Sequence, residues 1–413
     1  MMRSAYREAV GSFEQALRVL PQLPDHGDTR EQAIDLRFAL RTALQASGDL
    51  GRILTVLREA EALAAGLDDS RRLGQVSIFM NQHFFITGDP DQAVASCQRA
   101  LAMVSRDVGL HAVATSYMGM AYHTQGKYQQ AIACCRRTVV SLDGALRLER
   151  LGQVILPAVA SRTFLAWSLA EMGQFAEGLA IGEEGCRIAE GVGPPGSLMF
   201  AYFGAGLPSL RQGDLPQALP RLERAVGLCQ EADLPLWFPW VAWALGLAYV
   251  LSKRVTDALV LLEQAVEQSA SMGRWAYQAL FVATLGEALL QAGRLVEARQ
   301  RAEQALKLAR AYKERGHEAW ALRVLGEMAA QREPMDGEEA ISCYRQALSL
   351  ADALGMRPLV AHCHCGLGSL YAKIGRWDTA RGEVSAAIAL YRAMEMTFWL
   401  LQAQAAMAEV EGR

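Results

Sequence analysis

The chain has 413 residues, of which 52% are hydrophobic and 21% charged, and its formal net charge is −3. This composition predicts a large buried core and excludes a disordered chain. Nucleic-acid binders usually carry a basic patch, and the sequence contains no Lys/Arg run, so we expect no nucleic-acid partner.

The sequence shows no sign of a membrane or an exported protein. No apolar run is long enough to span a bilayer, and the N-terminus lacks the pattern of a secretory signal. The eight cysteines follow no small-disulfide pattern, which favours reduced thiols. We therefore expect a cytoplasmic protein without a membrane partner.

One short pattern recurs along the chain: Gly, a polar residue, an apolar residue, two variable residues, then Ala. Clear copies begin at Gly88, Gly126, Gly213, Gly293 and Gly375, and weaker copies begin at Gly48, Gly173 and Lys253. Most copies are about 40 residues apart, but the step from Gly126 to Gly173 is longer by about seven residues near 142–158.

Small residues also recur at two fixed sequence distances from the turns. An alanine often follows the turn residue by twelve positions, as at Ala225 and Ala265, and a glycine often precedes it by seven, as at Gly206 and Gly246. Glycine at a turn supplies the left-handed residue that ends a first helix, helix A. The small residues let helix A and the following helix B pack closely, so each repeat is predicted to be a helix pair.

The predicted elements follow in chain order. Helix B segments are expected over 5–19, 50–65, 90–104, 128–141, 175–190, 215–231, 255–271, 295–312, 338–354 and 377–393. Helix A segments are expected over 29–47, 71–87, 109–125, 159–172, 197–212, 238–252, 275–292, 316–331 and 358–374, with a capping helix near 397–411. No single pair can bury its apolar stripe alone, so the pairs must stack.

This glycine and alanine signature resembles the tetratricopeptide repeat, whose usual period is 34 residues. The resemblance implies an all-α fold, a right-handed superhelical solenoid of antiparallel helix pairs, as a single domain over 1–413. The longer period is similar to the C-terminal repeat regions of bacterial signalling ATPases of the maltose-activator type and of ATPase–nucleotidyl cyclase fusions; the stretch 235–246 resembles the latter. The first pair lacks its helix A, so we expect a fragment of a longer polypeptide or a standalone remnant.

The resemblance also points to a groove. In this repeat class helix A lines the concave face, and the residues three and six before its glycine should face the groove. In successive repeats, these positions are occupied by Phe200, Phe203, Trp240, Trp243, Leu280, Trp320, Arg323, His362 and Cys365. An aromatic stripe with an arginine could bind a peptide or a small apolar ligand. The alternative is that these residues pack between neighbouring helices.

Several short motifs have the residue pattern of a functional site but lack its structural context. Residues 362–365 read His-Cys-His-Cys, but only His362 and Cys365 share a helical face, and two ligands do not close a zinc site. Residues 191–196 match a dinucleotide fingerprint but follow a predicted helix, so we interpret them as an inter-repeat loop. The adjacent Cys134 and Cys135 are expected to pack inside helix B. The sequence thus predicts no metal and no cofactor.

No assembled set of catalytic residues is visible, so we expect a protein that is not an enzyme. The leading hypothesis is a regulatory module in bacterial signal transduction that binds a protein or peptide, by family analogy. A small-molecule sensor is the alternative, and an enzyme the remote one. Groove shape discriminates between the first two: a deep closed pocket lined by Phe203, Trp240 and Trp243 favours a small ligand, and an open trough a peptide.

Overall fold

Helix pairs follow one another along the whole computed structural model, which describes residues 2–24, 26–192, 195–332 and 335–412, with the side chains of 2–5 and 192 excepted. The helices in the A position are α2 (Gly27–Ser47), α4 (Ser70–Thr87), α6 (Val108–Thr124), α8 (Pro157–Glu171), α10 (Pro195–Gln212), α12 (Phe238–Leu251), α14 (Gln278–Gln291), α16 (Arg315–Gln331) and α18 (Arg357–Lys373). Those in the B position are α1 (Met2–Val19), α3 (Ile53–Gly66), α5 (Pro90–Met103), α7 (Tyr128–Ser141), α9 (Phe175–Val192), α11 (Leu215–Glu231), α13 (Val255–Ser271), α15 (Leu295–Ala311), α17 (Gly337–Leu354) and α19 (Trp377–Ala393), and α20 (Thr397–Glu411) follows them.

The helices confirm the predicted all-α, right-handed superhelical solenoid. Each described helix begins and ends within about three residues of its predicted bounds. Short 3-10 helices at Leu20–Gln22 and Gly144–Leu146 are the additions, and the second lies in the predicted insertion. Within the described residues, no helix has both the length and the apolar character that crossing a bilayer requires.

The turn between helix A and helix B has the predicted chemistry. At Gly88 the backbone is left-handed, with φ +84°, and the N–H of Asp89 donates to the carbonyl of Phe84 at 2.8 Å, which closes α4. The Asp89 carboxylate then accepts from the N–H of Gln92 at 3.1 Å and caps α5. The weaker copy at Lys253 keeps the same conformation, with φ +61°, in spite of its side chain.

The small residues of helix A allow close packing, as predicted. A Cβ placed on Gly246 would lie 2.7 Å from Cγ of Leu262, and one on Gly206 would lie equally close to Leu222. These contacts are shorter than carbon atoms can tolerate. Glycine at these positions therefore sets the distance between the two helices of a pair.

The superhelix is wound so tightly that its C-terminal half (α12–α20) touches its N-terminal half (α2–α11). The N–H groups of Trp275 and Ala276, just before α14, both donate to the carbonyl of Ile86, at 3.1 and 3.3 Å. Further along, Gly126 faces the backbone nitrogen of Gly316, so that a Cβ there would lie 3.0 Å away. The concave surface therefore encloses an interior space.

Candidate ligand cavities inside the superhelix

Aromatic rings from both halves fill the middle of the interior and form an aromatic column. Its members are Phe85, Phe164, Trp167, Phe200, Phe203, Trp240, Trp243 and Tyr277, all buried. Trp240 stacks on Phe200, with ring centroids 5.6 Å apart, and Trp243 stacks on Trp167 at 5.5 Å. Offset and edge-on contacts of this kind stabilise aromatic clusters beyond simple burial.

Four predicted groove residues, Phe200, Phe203, Trp240 and Trp243, thus belong to the column. They pack across the superhelix axis as well as along it, because Phe85 of α4 contacts Trp240 of α12, with ring centroids 6.2 Å apart. Trp243 is 0% exposed. Phe200 and Trp240 also border a small cavity on one side of the column. Their part in ligand binding stays a prediction.

A larger cavity of about 750 Å³ lies on the other side of the column. Its walls come from α10, α12, α14, α16, α18 and α20 and from Val255 at the start of α13, and they include the predicted groove residues Leu280, Trp320, Arg323 and His362. The remaining aromatic, charged and amide side chains on its walls are Phe398, Trp399, Arg211, Lys253, Glu287, Glu327, Gln291, Gln331 and Gln402. The structure therefore places four of the nine predicted groove residues, Leu280, Trp320, Arg323 and His362, around one space.

Arg323 is held in place by acidic neighbours. Its Nη1 donates to Oε2 of Glu327 at 3.0 Å, and its Nη2 pairs with Glu287. The guanidinium carbon lies 5.5 Å from the centre of the Trp320 ring. A cation between two carboxylates and an indole face has a fixed orientation on the cavity wall.

Glu171, which holds the wall residues Arg211 and Trp320, is among the residues that sequence reasoning missed. It is 4% exposed, and its carboxylate accepts from Nε of Arg211 at 2.9 Å, from Nε1 of Trp167 at 3.1 Å and from Nε1 of Trp320 at 3.3 Å. A signal was available, since Glu171 and Arg211 both stand two residues before a turn glycine in adjacent repeats. Opposite charges at equivalent repeat positions indicate an ion pair between neighbouring A helices.

His362 makes hydrogen bonds within the protein instead of forming a metal box. Its Nδ1 lies 2.8 Å from Oη of Tyr391, and its ring packs on Trp399 with centroids 4.5 Å apart. Burial, with the charges of Arg323 and Arg211, holds the pKa of His362 well below its usual value, so the ring is neutral at pH 7. Across the described residues, no three His, Cys, Asp or Glu side chains are placed to hold a metal ion.

The other motifs that resemble functional sites belong to packed helices. Cys135 is fully buried in α7 with Cys134 beside it, and burial raises the pKa of both thiols. In the fingerprint-like stretch, Gly191 lies in α9 and Gly196 in α10, while residues 193 and 194 lie outside the described residues. His317 shares a hydrogen bond with the buried Glu314, Nδ1 to Oε2, at 2.9 Å.

The smaller cavity, of about 60 Å³, lies against Trp240 and Phe200. Its polar lining consists of Gln45, Gln82, Tyr117 and Arg274. Val154 and Ile155 also line it, and both come from the predicted insertion near 142–158. The insertion thus supplies part of this wall.

Comparison with known proteins agrees with this architecture. Two segments, 118–139 and 279–304, match family models described as tetratricopeptide repeat. No curated protein matches the sequence. Among solved structures, the Rap protein complexed with Competence and Sporulation Factor has a TM-score of 0.63 at 12% identity, over 92% of this chain and 99% of that chain.

Two further solved structures share the fold. The human IFIT1 dimer with m7Gppp-AAAA has a TM-score of 0.53 at 16% identity, over 94% of this chain and 87% of that one. The APC/C hetero-tetramer Cut9–Hcn1 has a TM-score of 0.51 at 12% identity, over 97% and 82%. All three structures share the solenoid fold with this chain. The chain is built from tetratricopeptide-like repeats with a period near 40 residues.

Proposed function

We propose that the chain is a regulatory interaction module and that its larger cavity binds a peptide segment of a partner protein. The observation that carries this proposal is the mixed lining of the cavity, which combines aromatic, amide and charged side chains. A volume of about 750 Å³ lies within the range of roughly 300–1,000 Å³ that is typical of ligand sites.

The lining matches the chemistry of a peptide. Trp320 and Trp399 offer ring surface for apolar side chains. Gln291 and Gln402, at the exposed edge of the cavity, can each donate to a peptide carbonyl and accept from a peptide N–H. A peptide can use both kinds of group at once, because its main chain alternates donors and acceptors.

A purely apolar small ligand fits this lining less well. Such a ligand would remove water from Glu287, Glu327 and Arg323 without replacing its hydrogen bonds, and this desolvation is unfavourable. A nucleic acid also fits less well, because the cavity wall carries both signs of charge and the chain has a net charge of −3. The Rap structure is a precedent for this fold in complex with a factor. The signalling role rests on the resemblance to bacterial signalling repeats.

The test is selection from a random peptide display library with the whole chain as bait. Affinities of the selected peptides are then measured by fluorescence anisotropy for wild type and for the double variant Gln291→Trp, Gln402→Trp. Both positions are exposed at the cavity edge, so the indoles should fill the cavity without disturbing the core. The matched control is Gln304→Trp, Gln346→Trp, on the exposed faces of α15 and α17.

The proposal predicts that the cavity-filling variant weakens peptide binding at least tenfold, while the control variant binds like wild type. Equal binding by all three proteins would place the peptide outside the cavity and contradict the proposal. Selection that yields no saturable peptide would also contradict it, and would favour the small-molecule sensor instead.

A further inference from the structure

We propose that the smaller cavity is a binding site for a small anion, a carboxylate or phosphate compound of about four to six non-hydrogen atoms. The proposal rests on two buried arginines without carboxylate partners, one in the cavity wall and one a helical turn from a lining residue, and on unpaired polar atoms in the lining. It is independent of peptide binding in the larger cavity.

Arg274 is the central residue of the proposed site. It is 2% exposed, lines the cavity, and lies with its guanidinium carbon 4.3 Å from the centre of the Trp240 ring. Nη1 donates to the carbonyl of Leu236, but the buried Nε has no hydrogen-bond partner. Arginine stays protonated in proteins, so this is a buried cation whose charge an indole face and one carbonyl offset only in part.

Arg41 adds a second buried cation, one helical turn before the lining residue Gln45 on α2. It is 1% exposed, its guanidinium carbon lies 4.2 Å from the centre of the Phe79 ring, and its Nε and Nη1 have no partner. Burial lowers the pKa of Arg41 to about 10 and that of Arg274 to about 9. In the described part of the chain no carboxylate pairs with either arginine, although buried charges are ordinarily paired. A bound anion would supply the missing charge.

The other polar groups of the lining are Gln45, Gln82 and Tyr117. Gln45 lies one helical turn after Arg41 on α2, and Gln82 hydrogen-bonds Tyr117 and Gln153. The Oε1 atoms of Gln45 and Gln82 are buried and unpaired. Because these two atoms are acceptors, they favour an anion that also carries a hydroxyl or ammonium donor.

The volume of the cavity limits the size of the ligand. A buried water needs roughly 10–15 Å³ of such space, so about 60 Å³ accommodates about four to six atoms. Glycolate and inorganic phosphate fall within this range. Tyr117 and Val154 in the lining are partly exposed, which gives the cavity a route to solvent.

The cavity also lies at the junction of the two halves of the superhelix. Arg274 directly precedes Trp275 and Ala276, whose N–H groups donate to the carbonyl of Ile86 in the N-terminal half. Gln45, Gln82 and Tyr117 belong to that N-terminal half. An anion bound between them would therefore stabilise the closed superhelix.

The experiment uses the whole chain in a chloride-free buffer. Sodium glycolate, sodium acetate and sodium phosphate are titrated separately, and both tryptophan fluorescence and the thermal unfolding midpoint are recorded, since Trp240 lies against Arg274. Three variants are compared with wild type. Arg274→Gln removes the cation, Ala160→Leu fills the cavity and keeps both arginines, and Arg162→Gln removes a buried arginine that already pairs with Glu184 at 2.7 Å.

We expect a saturable response to at least one of the anions, with a midpoint that rises with ligand concentration. Arg274→Gln and Ala160→Leu should each weaken this binding at least tenfold, and Arg162→Gln should leave it unchanged. Ala160→Leu keeps the test valid if Arg274→Gln fails to fold. A response to phosphate alone would identify the phosphate group as the ligand chemistry, and a response to glycolate or acetate the carboxylate. No saturable response, or equal affinity in the cavity-filling variant, would overturn the proposal.

Discussion

The main-chain N–H of Trp275 donates to the carbonyl oxygen of Ile86 at 3.1 Å, although the two residues lie in different halves of the superhelix. This bond belongs to no helix and to no contact between adjacent repeats. It closes the concave surface on itself beside the smaller cavity, which Ile86 lines. A tetratricopeptide-like array that remained open would expose the same rings to solvent.

The first prediction tests this closure through two turn glycines with the same backbone conformation. Gly88 has φ +84° and Gly293 has φ +75°. An alanine at either position would have to adopt this left-handed conformation, which destabilises the folded chain by about 1–2 kcal/mol in both cases. At Gly88 a Cβ would also lie 2.6 Å from the ring of Tyr312, whereas at Gly293 it would meet nothing within 4 Å. We expect Gly88→Ala to lower the free energy of unfolding by about 1–3 kcal/mol more than Gly293→Ala.

Urea denaturation of the two variants measures this difference, and small-angle X-ray scattering reports whether the Gly88→Ala superhelix opens. Equal destabilisation of both variants, with an unchanged radius of gyration, would show that the halves do not press on each other at Gly88.

The second prediction concerns the distance between paired helices. Gly246→Ala would bring a Cβ to 2.7 Å from Leu262, and we expect it to destabilise the chain by about 1–3 kcal/mol. Gly382 lies exposed in α19 with nothing within 4 Å of the Cβ position. Gly382→Ala should therefore stabilise the chain by about 0.5–1 kcal/mol. Thermal denaturation distinguishes the two signs, and destabilisation of similar size in both variants would contradict the packing argument.

Local features of the fold could be predicted because they repeat. The turn at Gly88 and the close approach at Gly246 follow from residue types at fixed spacing, and one helix pair explains the others. The start of α14 is a position where the local pattern is insufficient, because this helix begins at Gln278 and not at 275. The N–H groups of Trp275 and Ala276 bond to Ile86 there, and Tyr277 has φ +67°, so the chain cannot yet be helical.

Contacts between the two halves could not be predicted from a 40-residue period. The repeat pattern does not indicate that Phe85 contacts Trp240. The sequence alone therefore could not show which predicted groove residues belong to the aromatic column and which line a cavity. Trp240 is enclosed in the column, whereas Trp320, at the equivalent repeat position, reaches the larger cavity. The difference arises because the aromatic column ends between these two repeats.

The third prediction concerns the buried carboxylate at the larger cavity. Glu171→Ala removes the partner of Arg211 and leaves a buried unpaired cation, which typically costs about 3–5 kcal/mol. Glu177→Ala is the control, because its pair with Arg136 is exposed and contributes about 1 kcal/mol or less. Unfolding followed by tryptophan fluorescence and by circular dichroism gives both values. A cost below about 1 kcal/mol for Glu171→Ala would mean that the Glu171 network does not stabilise the fold.

The fourth prediction concerns acid sensitivity. Burial, followed by the charges of His317 and Arg211, lowers the pKa of His123 well below its usual value. The folded chain therefore keeps His123 neutral while the unfolded chain binds a proton below about pH 6.5, so stability falls as the pH decreases from that value. The slope from this group is about 1.4 kcal/mol per pH unit.

Replacing His123 with Gln should reduce that slope, because the titrating group is gone. His26→Gln is the control, since His26 is exposed in the folded chain. Urea denaturation between pH 7 and 5 gives the slopes, and an unchanged slope in His123→Gln would assign the acid sensitivity to other groups, such as His83 or His362, whose pKa values are also lowered.

The most direct test of the account is photo-crosslinking with a selected peptide that carries benzoylphenylalanine at each position in turn. Mass spectrometry then identifies the residues that the peptide contacts. If the peptide binds in the larger cavity, we expect crosslinks to its walls on α14, α16 and α20, around Trp320 and Gln402. Crosslinks confined to the outer helices α15 and α17 would contradict it.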